Sequence, residues 1–277
     1  MKKILFIPFI FSGFQLFAQD MCCTMSAPDE FTHMAQDDAF AILHEIPESY
    51  YHSSQSGEMI EFPTSDGQKG SAFYMEAKQK SDKYLFVIHE WWGLNGHIKK
   101  EAERLYDELG DVNVMALDLY DGNVATNRDD AMKYIRQVQK ERAIAIISGA
   151  GDFAGKEAKI ATIGWCFGGG WSLQAAIISG DKTVGCVMYY GSPEKDVERL
   201  KSLNSDVLGI FALHDGGLGP DVVSQFQNNM IAAEKSITIH SFDAAHAFAN
   251  PSSPRYKEEA AQSANALTLE YLKKKFN

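Results

Sequence analysis

The chain lacks the marks of several large functional classes. Four cysteines in 277 residues are too few for a disulfide-held scaffold, and no C-x-x-C pair is present for a thiol-redox site. Basic side chains are the minority, 26 Lys and Arg against 37 Asp and Glu, for a formal net charge of -11. That balance argues against nucleic acid or an anionic membrane surface as the main partner. The glycines of Gly164–Gly170 are not spaced as G-x-G-x-x-G, and no Lys-Ser/Thr follows them as a P-loop requires. In His89-Glu90-Trp91-Trp92-Gly93 a glycine stands where a zinc-binding H-E-x-x-H needs its second histidine. No repeat, low-complexity tract or linker interrupts the chain from Glu58 onward.

What is present is a composition able to build a sizeable core, 45% hydrophobic and 12% aromatic, in one large domain with an extension. Lys2 and Lys3, the apolar run Ile4 to Phe17 and the small Ala18 have the layout of a secretory signal peptide over residues 1–19. The run is shorter than the ~20 apolar residues of a spanning helix and is broken by Pro8, Gly13 and Gln15. An exported chain, periplasmic or extracellular and without a membrane anchor in its mature form, is therefore expected. Residues 20–56 read as a polar N-terminal extension with one short helical pattern near Phe40–Leu43. Cys22 and Cys23 lie in it and would meet oxidising conditions, whereas Cys186, in the apolar run Thr183–Tyr190, reads as an inert core thiol.

Residues 57–277 read as one α/β domain. Glu58–Phe62 and Gly70–Glu76 predict a hairpin turned at Asp66-Gly67. Buried strands are then expected at Tyr84–His89, Val112–Leu119, Lys159–Trp165, Thr183–Tyr190, Val207–Leu213 and Ser236–Phe242, alternating with helices. The helices start near Asn95, Asn127 or Asp129, Glu141, Phe167, Asp196, Pro220 and Arg255. The helix at Pro220 should bury Val222, Phe226 and Met230. The last should bury a stripe of Tyr256, Ala260, Ala264, Leu267 and Tyr271. This is a mostly parallel sheet covered on both faces.

Gly164-Trp165-Cys166-Phe167-Gly168, between a β-branched run and a helix-compatible one, has the form Gly-x-nucleophile-x-Gly. At such an elbow the central residue is held in a strained turn, and flanking glycines let strand and helix nearly touch. The nucleophile would be Cys166. It needs a base, the base needs an orienting acid, and the oxyanion needs donors. In chain order after the elbow, Asp215 follows one strand and His246 follows the next. The backbone amides of Phe167 and Trp91 are candidate oxyanion donors. Glu90 would border the pocket beside Trp91 and Trp92.

Together, Glu90 in His-Glu-Trp-Trp-Gly-Leu-Asn, Asp118-Leu119-Tyr120, Gly164-Trp-Cys166-Phe-Gly-Gly169, Asp215 and Ala-His246-Ala-Phe resemble the dienelactone hydrolase (carboxymethylenebutenolidase) family over roughly Gly57–Phe276. The resemblance implies an α/β-hydrolase fold without a large lid and a Cys166-His246-Asp215 triad. It also implies that Glu90 contacts the thiol and helps deprotonate it, so that Glu90→Gln slows thiol alkylation. Of the two arginines and the tyrosine with which the dienelactone-cleaving members bind the substrate carboxylate, one arginine matches Arg128. The other falls at Asn250 and the tyrosine at Met132, which leaves the clamp half present.

The expectation is an exported thiol esterase or lactonase, with Arg128, Trp92 and Asn250 at the substrate and no metal or organic cofactor. Its partner is a small-molecule ester or lactone; the oligomeric state stays open. A thioester, peptide or glycan ester as substrate is a second reading. A non-catalytic binding shell is a third, although a binding module has no use for a thiol at a strained elbow.

Overall fold

Lys83–Ile88, the strand β3 of this chain, is buried along most of its length because a layer of helices covers each side of the sheet it belongs to. A computed structural model describes residue 33, residues 45–138 and residues 140–277. The expected signal peptide, its cleavage point, Cys22, Cys23 and the helical pattern near Phe40 lie outside the described residues.

Strands β1 (Glu58–Pro63) and β2 (Lys69–Met75) form the hairpin, and β4 (Asn113–Leu117), β5 (Lys159–Trp165), β6 (Thr183–Tyr189), β7 (Val207–Ala212) and β8 (Ile237–Phe242) complete an eight-stranded sheet in the order β1-β2-β4-β3-β5-β6-β7-β8. From β4 to β8 the neighbours run parallel; β2 meets both β1 and β4 antiparallel. The chain therefore starts near the middle of the parallel sheet, and β5 lies between β3 and β6. The C-terminal ends of β3, β5, β7 and β8 carry the loops that hold Glu90, Cys166, Asp215 and His246. In open α/β sheets ligands bind outside these carboxyl ends.

The helices form where the sequence supplies caps and apolar stripes. In α1 (Gly96–Leu109) the Asn95 side chain accepts from the His97 and Ile98 amides, and Ile98, Ala102, Leu105 and Tyr106 form the buried stripe. Asn127 caps α2 (Arg128–Gln137). Next come α3 (Lys140–Ala154), α4 (Phe167–Ser179), the single turn α5 (Val197–Lys201), α6 (Pro220–Ala232) and α7 (Glu258–Phe276). Helix α4 is buried continuously from Phe167 to Ala176, which explains why its sequence shows no amphipathic stripe.

Two stripes differ from their sequence reading. Helix α6 buries Val223, Phe226 and Met230, with Val222 only half-buried, because the helix starts at Pro220 and turns Val223 inward. Helix α7 starts at Glu258, so Tyr256 lies ahead of it and is exposed, and the buried set is Ala260, Ala261, Ala264, Thr268, Leu272 and Phe276. Polar anchoring sets this rotation. Tyr189 Oη pairs with Thr268 Oγ1 at 2.6 Å, while the Tyr271 hydroxyl turns to the sheet edge, donating to Asp206 and accepting from the Cys186 amide.

Candidate active site

The elbow is where β5 ends. Cys166 has φ 56° and ψ -118°, a left-handed φ that costs an L-residue about 1 kcal/mol or more. The surrounding packing enforces it. A Cβ on Gly164 would stand 2.0 Å from Gly168 O, and one on Gly168 would stand 2.3 Å from Ile88 O. Strand, turn and the neighbouring β3 thus approach at backbone contact. The Cys166 amide donates to Tyr189 O at 3.0 Å, and the Cys166 carbonyl accepts the Gly169 amide at 3.0 Å to start α4. Its thiol is buried, facing the Phe167 amide at the head of that helix, yet burial and the nearby Glu90 carboxylate push its pKa well above the ordinary range. At neutral pH it rests as a thiol.

His246 and Asp215 meet as expected. His246 Nδ1 lies 2.5 Å from Asp215 Oδ2, with both side chains almost fully buried. Asp215 Oδ1 accepts the Gly217 and Leu218 amides, each at 3.0 Å, so the carboxylate is held at both oxygens. His246 and these amides keep its pKa below the usual carboxylate range despite burial. An ionised Asp215 fixes the proton of His246 on Nδ1 and directs Nε2 away from it.

Glu90 is buried on the loop after β3, and burial raises its pKa to about 7, against the lowering influence of His246 and of a hydrogen bond from Asn250. Asn250 is the candidate whose role the structure revises. Expected at the substrate, its Nδ2 instead donates to Glu90 Oε2 at 2.5 Å. Arg128 stands at the first position of α2, half-buried, and no hydrogen bond or ion pair joins it to Cys166, His246, Asp215 or Glu90. Trp92 is buried with its ring 4.8 Å from that of Trp91, and its carbonyl accepts the Ala125 amide at 3.0 Å, tying α2's approach to the site.

The sequence reading assigned His89 no role, and the structure places it at the hub of the oxyanion loop. Its Nδ1 bonds to Glu90 O at 2.6 Å, its Nε2 accepts from the Leu119 amide at 3.2 Å, and its ring stacks on Phe167 at 5.8 Å. Burial lowers its pKa, so the ring is neutral with the proton on Nδ1. In a trans peptide the C=O and the following N–H point in opposite directions. By holding Glu90 O, His89 therefore sets the direction of the Trp91 N–H. Tyr120 Oη donates to the next carbonyl, Trp91 O, at 3.1 Å, and Asp118 shapes the turn carrying Tyr120 by accepting the Tyr120 and Gly122 amides. The Asp118-Leu119-Tyr120 motif is thus a brace for the loop. The sequence signal that could have found His89 is its position at the end of a buried strand, directly before two loop residues assigned to the site. Among the described residues, no group of three or more His, Cys, Asp or Glu is placed to hold a metal ion.

Comparison with known proteins follows this geometry. The family model described as the dienelactone hydrolase family matches residues 71–276. A carboxymethylenebutenolidase of Pseudomonas sp. (strain P51) is 30% identical over 160 residues, 56% of this chain and 66% of that protein. Carboxymethylenebutenolidase 1 of Cupriavidus pinatubonensis is 24% identical over 228 residues, 77% of this chain and 95% of that protein. Among solved structures, a dienelactone hydrolase-like promiscuous phosphotriesterase from metagenomic libraries superposes with a TM-score of 0.69 at 20% identity, over 80% of this chain and 100% of that one. A cold-adapted esterase from an Arctic intertidal metagenomic library superposes at 0.61 and 16% identity, over 84% and 100%. At such identities the superpositions establish the α/β-hydrolase fold.

Proposed function

The chain belongs to the dienelactone hydrolase family, and from that premise we propose that it is a thiol-dependent hydrolase of small esters or lactones. The observation that carries this reading is the convergence of a cysteine at a strained elbow, a buried His246–Asp215 pair and a buried carboxylate with a pKa of about 7.

The steps follow from the protonation states. The resting thiol is a weak nucleophile. When substrate arrives, Glu90 takes the Sγ proton, and in doing so loses the charge that opposed thiolate formation. The thiolate adds to the carbonyl carbon, and the carbonyl electron pair moves to oxygen, where the Phe167 and Trp91 amides receive it. Collapse expels the alkoxide, which is protonated through His246 by the proton that left Sγ, and a thioester remains on Cys166. His246 then takes a proton from water, hydroxide adds to the thioester, and the thiolate leaves and recovers that proton. Asp215 holds the ring in the required tautomer throughout and stabilises its charged form.

The relatives named carboxymethylenebutenolidase place dienelactone-like rings among the candidates. With asparagine rather than arginine at position 250, and that asparagine engaged with Glu90, substrate-carboxylate binding would fall to Arg128 alone. The same reading has the mature chain begin near Ala18 or Gln19 and act outside the cytoplasm. The deciding experiment is hydrolysis of short-chain aryl esters and a lactone, under reducing conditions, by wild type and Cys166→Ala. Turnover that disappears with the thiol supports the reading, and turnover that survives in Cys166→Ala removes Cys166 as the nucleophile.

A further inference from the structure

The family match begins at residue 71, so the segment 45–57 lies ahead of it, yet this segment is built into the domain. The Tyr50 carbonyl crosses α1 so closely that a methyl group on Gly96 would stand 2.0 Å from it. His97 Nε2 bonds to Glu48 O at 2.8 Å, the His97 and Tyr50 rings lie 5.2 Å apart, and Lys100 Nζ sits 5.6 Å over the Tyr50 ring. One helical turn further on, His52 Nε2 meets Glu103 Oε2 at 2.6 Å and Ser54 Oγ donates to the other oxygen of the same carboxylate.

These contacts bring Glu45 and Pro47 to the rim of the catalytic centre. Both border a narrow cleft with Glu90, Trp91, Trp92 and Asn250. Pro47 also closes a larger cavity of about 260 Å³ that has Glu90 and Asn250 on one wall and Ile98, Trp165 and Pro251 on others. The charges around that cavity satisfy one another. Arg104 forks onto Glu101 through Nε at 2.9 Å and Nη2 at 2.6 Å, and the Lys100 ammonium lies over Tyr50. What is left for a ligand is apolar surface beside one carboxylate. The volume is below the ~300–1,000 Å³ of sites for drug-sized ligands.

We propose that segment 45–57, docked on α1, is a wall of the substrate site and determines which esters fit, reserving the cavity beside Glu90 for a compact, uncharged apolar group of the substrate such as a short acyl chain or a single ring. This inference rests on the hydrolase reading of Cys166. Gly96 is the point where it is most exposed to test. Alanine is a better helix former than glycine, so Gly96→Ala keeps α1, while its methyl group cannot coexist with the Tyr50 carbonyl and segment 45–57 must move off.

The experiment compares wild type, Gly96→Ala and Pro47→Trp on p-nitrophenyl esters from acetate to octanoate, with hydrogen exchange of residues 45–57 followed in parallel. In Gly96→Ala, exchange across 45–57 should rise, and kcat/KM for octanoate relative to acetate should increase at least tenfold, mainly through KM. Pro47→Trp, which fills the cavity instead of opening it, should shift the ratio the opposite way. Two results overturn the inference: an unchanged chain-length profile in Gly96→Ala once exchange has risen, or exchange that does not rise at all. If wild type shows no Cys166-dependent turnover on any ester, the hydrolase reading fails separately. The wall is then read from alkylation of Cys166 by N-phenylmaleimide, where faster reaction in Gly96→Ala upholds it and an unchanged rate overturns it.

Discussion

Asn250 donates from Nδ2 to Glu90 Oε2 across 160 residues of chain, and it has no freedom to turn away. Its Oδ1 already accepts the amide and hydroxyl of Ser252, at 2.9 and 2.7 Å, so only the NH2 face remains for the carboxylate. Asn250 lies in the turn that follows His246, with its amide bonded to Ala247 O at 3.1 Å. One side-chain bond therefore couples the histidine loop after β8 to the carboxylate loop after β3, and it is one of two influences that hold Glu90 near a pKa of 7 against burial.

Removing that donor should move the pH dependence of the reaction. Asn250→Leu leaves burial less opposed, so the pKa of Glu90 rises further. Glu90 is active as the carboxylate, so the ascending limb of kcat/KM against pH, centred near 7 in wild type, should move up by roughly one unit. A pH–rate profile checks this, and a limb that stays in place means another group sets it.

Glu90 should cost stability at alkaline pH. Its folded pKa of about 7 exceeds the ordinary value of 4.5, so between those values the folded chain binds more protons than the unfolded chain. Stability thus falls as pH rises through this window, by an amount on the order of 3 kcal/mol once both forms are ionised. Glu90→Gln removes the term while retaining a partner for Asn250. Its Tm should exceed wild type at pH 8 and match it near pH 4, alongside a loss of turnover; thermal melts at the two pH values decide it.

The same variant should make the resting thiol more reactive. Family resemblance alone led to the expectation of slower alkylation in Glu90→Gln. In the structure the Glu90 carboxylate raises the Cys166 pKa, so its neutralisation lowers that pKa and iodoacetamide should react severalfold faster at pH 8. Faster alkylation combined with slower turnover separates protection of the thiol from its activation.

Asp215→Asn should lower kcat by about three to four orders of magnitude, because an amide facing Nδ1 permits the wrong tautomer of His246. Oδ1 still receives the Gly217 and Leu218 amides, which preserves the loop. KM should therefore change much less than kcat, and steady-state kinetics on one ester are sufficient to see the split.

His89 is a positioning residue whose loss should be felt at the oxyanion. His89→Ala frees Glu90 O and the Leu119 amide, letting the Trp91 N–H rotate; kcat should fall about 10²-fold, with KM and the His246-dependent limb of the pH profile little changed. A purely structural role would lower the fraction of folded enzyme and leave kcat per active site, titrated with a thiol reagent, at the wild-type value.

The elbow was legible in the sequence because everything that makes it is local. The β-branched strand, the thiol and the glycines lie within a few residues, and the clash that a Cβ at Gly164 would make with Gly168 is a property of that short segment alone. The order of Asp215 and His246 was legible for a related reason, since alternating strands and helices fix which loops reach the same edge of a parallel sheet. The α7 stripe was misread where long-range hydrogen bonds, Tyr189 to Thr268 and Tyr271 to Asp206, rotate the helix against its simplest apolar face.

The sequence by itself determined the α/β class, the thiol at the elbow and the order of its candidate partners, since local sterics and periodicity suffice for these. Only the tertiary structure decided that Asn250 serves Glu90, that His89 directs the oxyanion loop and that segment 45–57 borders the catalytic centre. Each depends on side chains distant in sequence, or on a ring nitrogen choosing between carbonyl and amide, and such pairings are set by the packing of the finished sheet.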